Sequence, residues 1–391
     1  MTTVSPSVGA PAPAPAPAAG PVRSAVRFQA GIERLCRSTV DGRALVRELA
    51  GRIRAAVPCR SMLVLRTDPT TVLPTDGLVD ALPPGLCKHF WDNELLADDF
   101  NKFVELSRRE STAATLGHAT GGDLTRSPRY TNLYRGLGLG DELRVSFTAR
   151  DGSCWGIAAL VRADGEPFTE AERGMLADAA PFVAEGLRAA FAAARPARSP
   201  QTGPALVILD DAGDVRAATP DATRWLAELT SGSATGMAPV PEPVYLVAGR
   251  ARAARAGISR EPPCVQVRTA GGVWLHLHAT CLDGDDPLDG TVAVVITPAH
   301  APDLAPLLAL GYRLTQREQE VLGFLAHGLT TAEMTRRLGI SPHTVRDHIK
   351  ALFAKVGVRS RTELLARIFA EHYFDRLEAD VEKAGHPDWA G

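Results

Sequence analysis

Three helix starts and three glycine stops follow one another between residues 315 and 357, and this punctuation leaves that segment few ways to fold. Thr315 with Glu318, and Thr330 with Glu333, have the spacing of a capping box. In that motif the hydroxyl accepts from the third backbone N–H and the glutamate accepts from the cap's own N–H. Ser341 offers a cap to a third helix, with Pro342 at its first position, where a missing N–H costs nothing. Gly328, Gly339 and Gly357 follow, and glycine tolerates the left-handed backbone that ends a helix. Apolar residues recur at helical spacing inside each segment: Val321, Leu322 and Leu325, then Met334 and Leu338, then Val345, Ile349, Leu352, Phe353 and Val356. A fourth helix, opening at Ser360 or Arg361, carries Leu364, Leu365, Ile368 and Phe369. Two short helices joined through a glycine turn fit a helix-turn-helix.

The third helix has a second face. His343, Arg346, Asp347, Lys350 and Ala354 lie opposite the apolar stripe, with no large apolar residue among them. Such a face is most often only solvated. Between Arg336 and Arg367, however, eight basic residues stand against two acids, in a chain whose net charge is −2. A local excess of that kind is what phosphate neutralisation requires. In a major groove, Arg346 or Lys350 can reach guanine O6 and N7. Asp347 has two readings, as an acceptor from cytosine N4 or as an exposed ion-pair partner of Arg346 or Lys350.

The stretch "LTQREQEVLGFLAHGLTTAEMTRRLGISPHTVRDHIKALFAKVGVRSRTELLARI" resembles the DNA-binding domain of LuxR-type transcription regulators along its whole length. The resemblance implies that the third helix enters the major groove with Arg346, Asp347 and Lys350 facing bases. It implies that Thr344 and His348 orient the helix and meet the backbone, that Lys355 and Arg361 contact phosphates, and that Ser341 and His343 complete the DNA-binding set. It also implies dimerisation through the fourth helix, by Leu364, Leu365, Ile368 and Phe369. Met334-Thr335 replaces the Ile-Ala of the family pattern, which predicts looser packing between the second and third helices. Arg346 replaces a lysine, keeping the charge and adding bidentate geometry.

A chain of 391 residues is too long for one ordinary core. The start, "MTTVSPSVGAPAPAPAPAAGP", lacks the charged and apolar blocks of a signal peptide and reads as a disordered arm, 1–24. Six scattered cysteines without a CxxC pair then read as reduced thiols, and the expected location is the cytoplasm. No apolar run approaches the length of a membrane span. Residues 25–195 alternate helical and strand patterns, with a hairpin at Asp151-Gly152 and a capping box at Thr169 and Glu172 before a long final helix. A Pro/Ser/Arg-rich linker follows at 196–204. Residues 205–298 open with strand, Asp/Gly turn, strand and helix, and close with the strands "VWLHLHATCL" and "GTVAVVITPA". The intervening "SGSATGMAPVPEPV" reads as flexible, 299–310 as a linker, 311–375 as the helix-turn-helix domain, and 376–391 as an acidic tail.

The expected fold is multidomain α+β: a GAF-like and a PAS-like antiparallel-sheet sensor domain before an all-α, four-helix helix-turn-helix domain. The stretch "ELRVSFTARDGSCWGIAALVR" among flanking helices resembles a GAF-like sensor, and "LVILDDAGDVRAATPDATRWL" resembles the opening of a PAS domain. A receiver domain is disfavoured, because Asp210-Asp211 is its only hint and βα alternation is missing. Trp91, Tyr130 and Tyr134 do not fit the pattern of an acyl-homoserine-lactone pocket. His276 and His278 share one strand face and read as surface polar residues before metal or haem ligands, and Cys154-Trp155 reads as core before pocket. No cofactor or metal is expected, and no nucleophile constellation supports an enzyme such as a GAF-containing nucleotide phosphodiesterase. The expectation is a non-enzymatic, one-component regulator, dimeric on duplex DNA and tuned by an unidentified small molecule or protein partner. A partner-binding scaffold is the remaining alternative.

Overall fold

The computed structural model describes residues 21–39, 41–81, 86–194, 205–231, 240–283, 290–299 and 301–365. Residues 1–20 of the expected arm, the linker 196–204 and the tail 376–391 lie outside the described residues.

The first block runs α1 (Pro21–Ser38), α2 (Gly42–Ala56), β1 (Ser61–Thr67), β2 (Pro74–Asp80), α3 (Leu86–Leu96), α4 (Phe103–Leu106), β3 (Ala113–Thr115), α5 (Leu116–Ala119), β4 (Leu139–Thr148), β5 (Cys154–Ala163) and α6 (Glu170–Ala193). Its strands form an antiparallel sheet in the order β2-β1-β5-β4-β3. The period of two in "MLVL" divides β1 between two cores. Met62 and Val64 meet the helices α1, α2 and α6, through residues such as Ile32, Leu49 and Val183. Leu63 and Leu65 face a second core that includes Phe90 and Trp91 of α3. The expected capping box closes on α6, with Thr169 accepting from the Glu172 N–H and Glu172 accepting from the Thr169 N–H.

The second block runs β6 (Ala205–Leu209), β7 (Val215–Ala218), α7 (Pro220–Ser231), α8 (Glu242–Arg255), β8 (Cys264–Arg268), β9 (Trp274–Cys281) and β10 (Val292–Pro298). Its antiparallel sheet has the order β7-β6-β10-β9-β8, the same sequence of places as the first. The end of the stretch read as flexible is the start of α8, whose Val244, Tyr245, Leu246, Val247 and Ala248 are all buried. A helix buried around most of its circumference, with Glu242 and Arg250 among its buried residues, has no clean apolar stripe to read. It packs on α3 of the first block: a Cβ on Gly249 would meet Leu95 Cδ1 at 2.7 Å, and Tyr245 donates to Asp92. The two blocks therefore share one apolar core.

The linker expected at 299–310 is instead largely α9 (Ala301–Gly311). Leu304 and Leu307 insert into the core beneath α6, and that burial overrides the Pro306 inside the helix. Likewise α1 begins at Pro21, inside the span expected as an arm. The C-terminal helices are α10 (Gln316–Ala326), α11 (Thr331–Leu338), α12 (Pro342–Val356) and α13 (Arg361–Leu365).

A charge network inside the first block has no signature in the pattern of the chain. Arg129 and Arg144 are buried with Glu94 and Glu142, joined by contacts of 2.8 Å (Arg129 Nε to Glu142) and 2.6 Å (Arg144 Nη1 to Glu94). The Arg144 guanidinium lies 5.0 Å from the Phe90 ring centroid and 4.5 Å from that of Phe103. These six residues come from α3, α4, β4 and the segment between α5 and β4, so only the tertiary fold assembles them.

Candidate nucleic-acid interface

Each start and stop of the C-terminal helices works by the expected chemistry. Thr315 and Thr330 accept from the N–H of Glu318 and Glu333 at 3.3 Å, and each glutamate accepts in return at 2.7 Å. Ser341 Oγ accepts from the Thr344 N–H at 3.1 Å. Gly339 and Gly357 close α11 and α12 with φ of +65° and +72°. Between α11 and α12 the chain thus turns within Gly339, Ile340 and Ser341.

One side of α12 is fixed by packing. Val345, Leu352 and Val356 are buried, Ile349 and Phe353 lie against them, and Val321, Leu325, Met334 and Leu364 complete the core. Met334 is 1% exposed, so its side chain is taken up by the core between the helices. The neighbouring Thr335 is less well accommodated, because its Oγ1 is buried with no hydrogen-bond partner.

The opposite side presents Ser341, His343, Arg346, Asp347, Lys350 and Ala354 to solvent, with Thr344 and His348 half-buried at its edges. Two of these side chains have local partners. Asp347 Oδ2 lies 2.8 Å from His343 Nδ1, one helical turn away, so its neighbour is not the Arg346 or Lys350 considered from sequence. His343, four residues away, is stacked beside Asp347, whereas Arg346 is adjacent in sequence and points elsewhere; Lys350, three residues on, shares the face but is not the partner taken. Arg346 Nε donates to the Pro342 carbonyl at 3.2 Å. Both contacts are exposed and hold little energy against a competing partner.

Lys355 and Arg361 are engaged inside the domain. Lys355 Nζ donates to the Glu318 carboxylate at 2.6 Å and to the Arg313 carbonyl at 2.8 Å. Arg361 donates to the carbonyls of Leu325 and Leu329, at 2.7 and 3.0 Å, which satisfies the end of α10. The family resemblance placed these cations at phosphate-contacting positions but could not show that acceptors of the same domain already hold them. Burial would raise the Glu318 carboxyl, but hydrogen bonds from Lys355 and Thr315 hold it below its ordinary value. Of the expected dimer residues, Leu364 is 0% exposed in the domain core, and Ile368 and Phe369 lie outside the described residues.

Residues 312–368 match the model of the luxR family of bacterial regulatory proteins. This segment is a LuxR-family domain. The chain is similar to the transcriptional regulatory protein UhpA of Salmonella typhimurium and of Escherichia coli K12, each 43% identical over 88 residues. Those alignments cover 21% of this chain and 45% of each relative, less than half of their length. The probable transcriptional regulatory protein SgaR of Hyphomicrobium methylovorum is 45% identical over 53 residues, 14% of this chain and 25% of that protein. A solved structure of SdiA in complex with octanoyl-rac-glycerol aligns with a TM-score of 0.28 at 13% identity, covering 90% of this chain and 96% of that one. That score is too low to fix the fold of the blocks upstream of the LuxR-family domain.

The remaining chemical hints read as structure. His276 Nδ1 lies 3.0 Å from Gln266 Nε2, with His278 exposed two residues on. Cys154 and Trp155 are both buried, at 1% and 3% exposure.

Proposed function

We propose that the chain is a one-component transcriptional regulator that binds duplex DNA through α12. The observation that carries this reading is the basic face of α12, held out from a capped helix-turn-helix by a packed stripe on its other side. The LuxR-family match and the regulatory names of its relatives support it. Arg346 and Lys350 read bases, with Asp347 at hand to accept from cytosine once released from His343. Ser341, His343, Thr344 and His348 border that surface, and Arg336, Arg337 and Arg359 add exposed positive charge beside it. Lys355 and Arg361 support the helices more than they reach for phosphate.

The protein acts as a homodimer on half-sites about one helical turn apart. Because Leu364 is taken up by the domain core, the dimer contact falls to the other expected residues, Leu365, Ile368 and Phe369. The upstream blocks are GAF-like and PAS-like sensors, a reading supported by two five-stranded antiparallel sheets of one strand order. They tune DNA binding in response to a small molecule or a protein partner. Among the described residues no helix is long and apolar enough to cross a membrane, in keeping with a cytoplasmic site of action.

The Arg346→Ala, Lys350→Ala double variant tests the interface by gel shift and footprinting on operator fragments selected from genomic DNA. Each lost base contact should cost about 1–3 kcal/mol of specific binding. An unchanged footprint with unchanged affinity and salt slope would show that α12 is not the reading helix. Wild-type binding without sequence preference would favour a scaffold.

A further inference from the structure

Where α8 crosses the first block, a cavity of about 260 Å³ lies between the two sheet blocks. Its wall includes Trp91, Leu95, Phe103, Ile157 and Leu246, contributed by α3, α4, β5 and α8. The basic side chains Lys102, Arg108, Arg250 and Arg260 line it as well. Arg250 stands on α8, only 2% exposed, and its Nη1 is buried with no hydrogen-bond partner. A guanidinium stays charged in a protein, so this is a buried cation lacking full compensation.

Three carboxylates, Glu94, Glu105 and Glu261, line the cavity too, and each already has a partner. Glu94 accepts from Arg144 at 2.6 Å and from the Phe103 N–H at 2.8 Å. Glu261 pairs with Arg108 at 2.5 Å, and Glu105 with Arg109 at 3.5 Å. Burial lowers the Arg250 guanidinium below its ordinary range despite Glu261 and Glu94, the shift expected where solvent is lost without a full ion pair. A buried guanidinium whose Nη1 has no partner, set beside the aromatic and aliphatic part of this mixed lining, suits a ligand with an anionic end and an apolar body. The volume falls just below the roughly 300 Å³ at which drug-sized pockets begin, which restricts the ligand to a small molecule.

We infer that this cavity binds a small organic monocarboxylate, with its carboxyl group on Arg250 and its apolar body against Trp91, Phe103 and Leu246. The walls belong to both blocks, so occupancy couples them. The regulatory consequence, a change in DNA affinity, rests on the function proposed above, whereas the binding itself does not.

The test is calorimetric titration of the full chain with phenylacetate, benzoate and hexanoate, and with phenylacetamide as the neutral counterpart of the first. At least one carboxylate should bind the wild type, and phenylacetamide should bind roughly 10- to 100-fold more weakly than phenylacetate if that is the one. Arg250→Met should lose the carboxylate by a similar factor while melting no lower than the wild type, since no hydrogen bond to Nη1 is removed. Arg250→Lys keeps the charge and should retain part of the affinity. Failure of all three carboxylates to bind, or equal binding by Arg250→Met, overturns the site. A gel shift with and without the bound carboxylate separates the two ideas: binding without any change in DNA affinity leaves the site standing and removes the regulatory reading.

Discussion

Replacing Lys355 with methionine separates the structural role of this cation from a phosphate-binding one. In the folded domain its ammonium donates to Glu318 and to the Arg313 carbonyl, joining the end of α12 to the start of α10. The pair is unequal in exposure, at 32% for the lysine side chain and 6% for the glutamate, so water can replace part of what is lost. Two charge-assisted bonds, discounted for that screening, give an expected destabilisation of about 1–2 kcal/mol. The exposed Lys350 should cost under about 0.5 kcal/mol when replaced the same way. Hydrogen exchange at the amides of α10 in the full chain reads the effect locally.

The sign with pH follows from Glu318. Its carboxyl is held below its ordinary value of 4.5, so the stabilisation is present above that value and is lost as pH falls through the lower, folded one. The difference in exchange between wild type and Lys355→Met should therefore be full at neutral pH and shrink below about pH 4.5. If Lys355 instead neutralised a phosphate, the salt slope of DNA binding would fall by about 0.9 in the variant. Unchanged exchange in α10 together with that smaller slope would refute the reasoning.

Two further variants probe packing. Thr335→Ala removes a buried hydroxyl that lacks a partner and places a better helix former in α11, so the LuxR-family domain should gain about 0.5–1 kcal/mol in thermal or urea denaturation. A loss of stability would mean that the hydroxyl is satisfied. Burial pushes the Cys154 thiol up to about 11, so it should stay unlabelled by maleimide at pH 8 in the native chain and react only on unfolding. Rapid native labelling would contradict the packing of β5.

The helices of the LuxR-family domain were legible in the chain itself because their signals are local. A Thr-x-x-Glu pair caps the turn it starts, a glycine ends the turn it follows, and an i, i+4 stripe declares which side will be buried. The hairpin at Asp151-Gly152 and the capping box before α6 were legible for the same reason. The partners of long side chains were not. Lys355 and Arg361 were expected to contact phosphates, and it is the approach of α12 and α13 to the ends of α10 that gives them acceptors within the domain. Asp347 stood beside two basic residues in sequence, yet helical geometry stacks it on His343.

Burial around most of its circumference hides a helix from periodicity, and so α8 was invisible until the two blocks were seen to close around it. The same closure turned an expected linker into α9, whose Leu304 and Leu307 have a core to enter. It also made the cavity around Arg250, since Trp91 and Phe103 lie far along the chain from Leu246 and Arg250 and meet them only when α8 docks on α3. Capping, turn chemistry and amphipathic spacing act over a few residues, and the sequence alone determined them. Which charges find partners, and which are left without one, depends on contacts across the fold, and only the tertiary structure decided it.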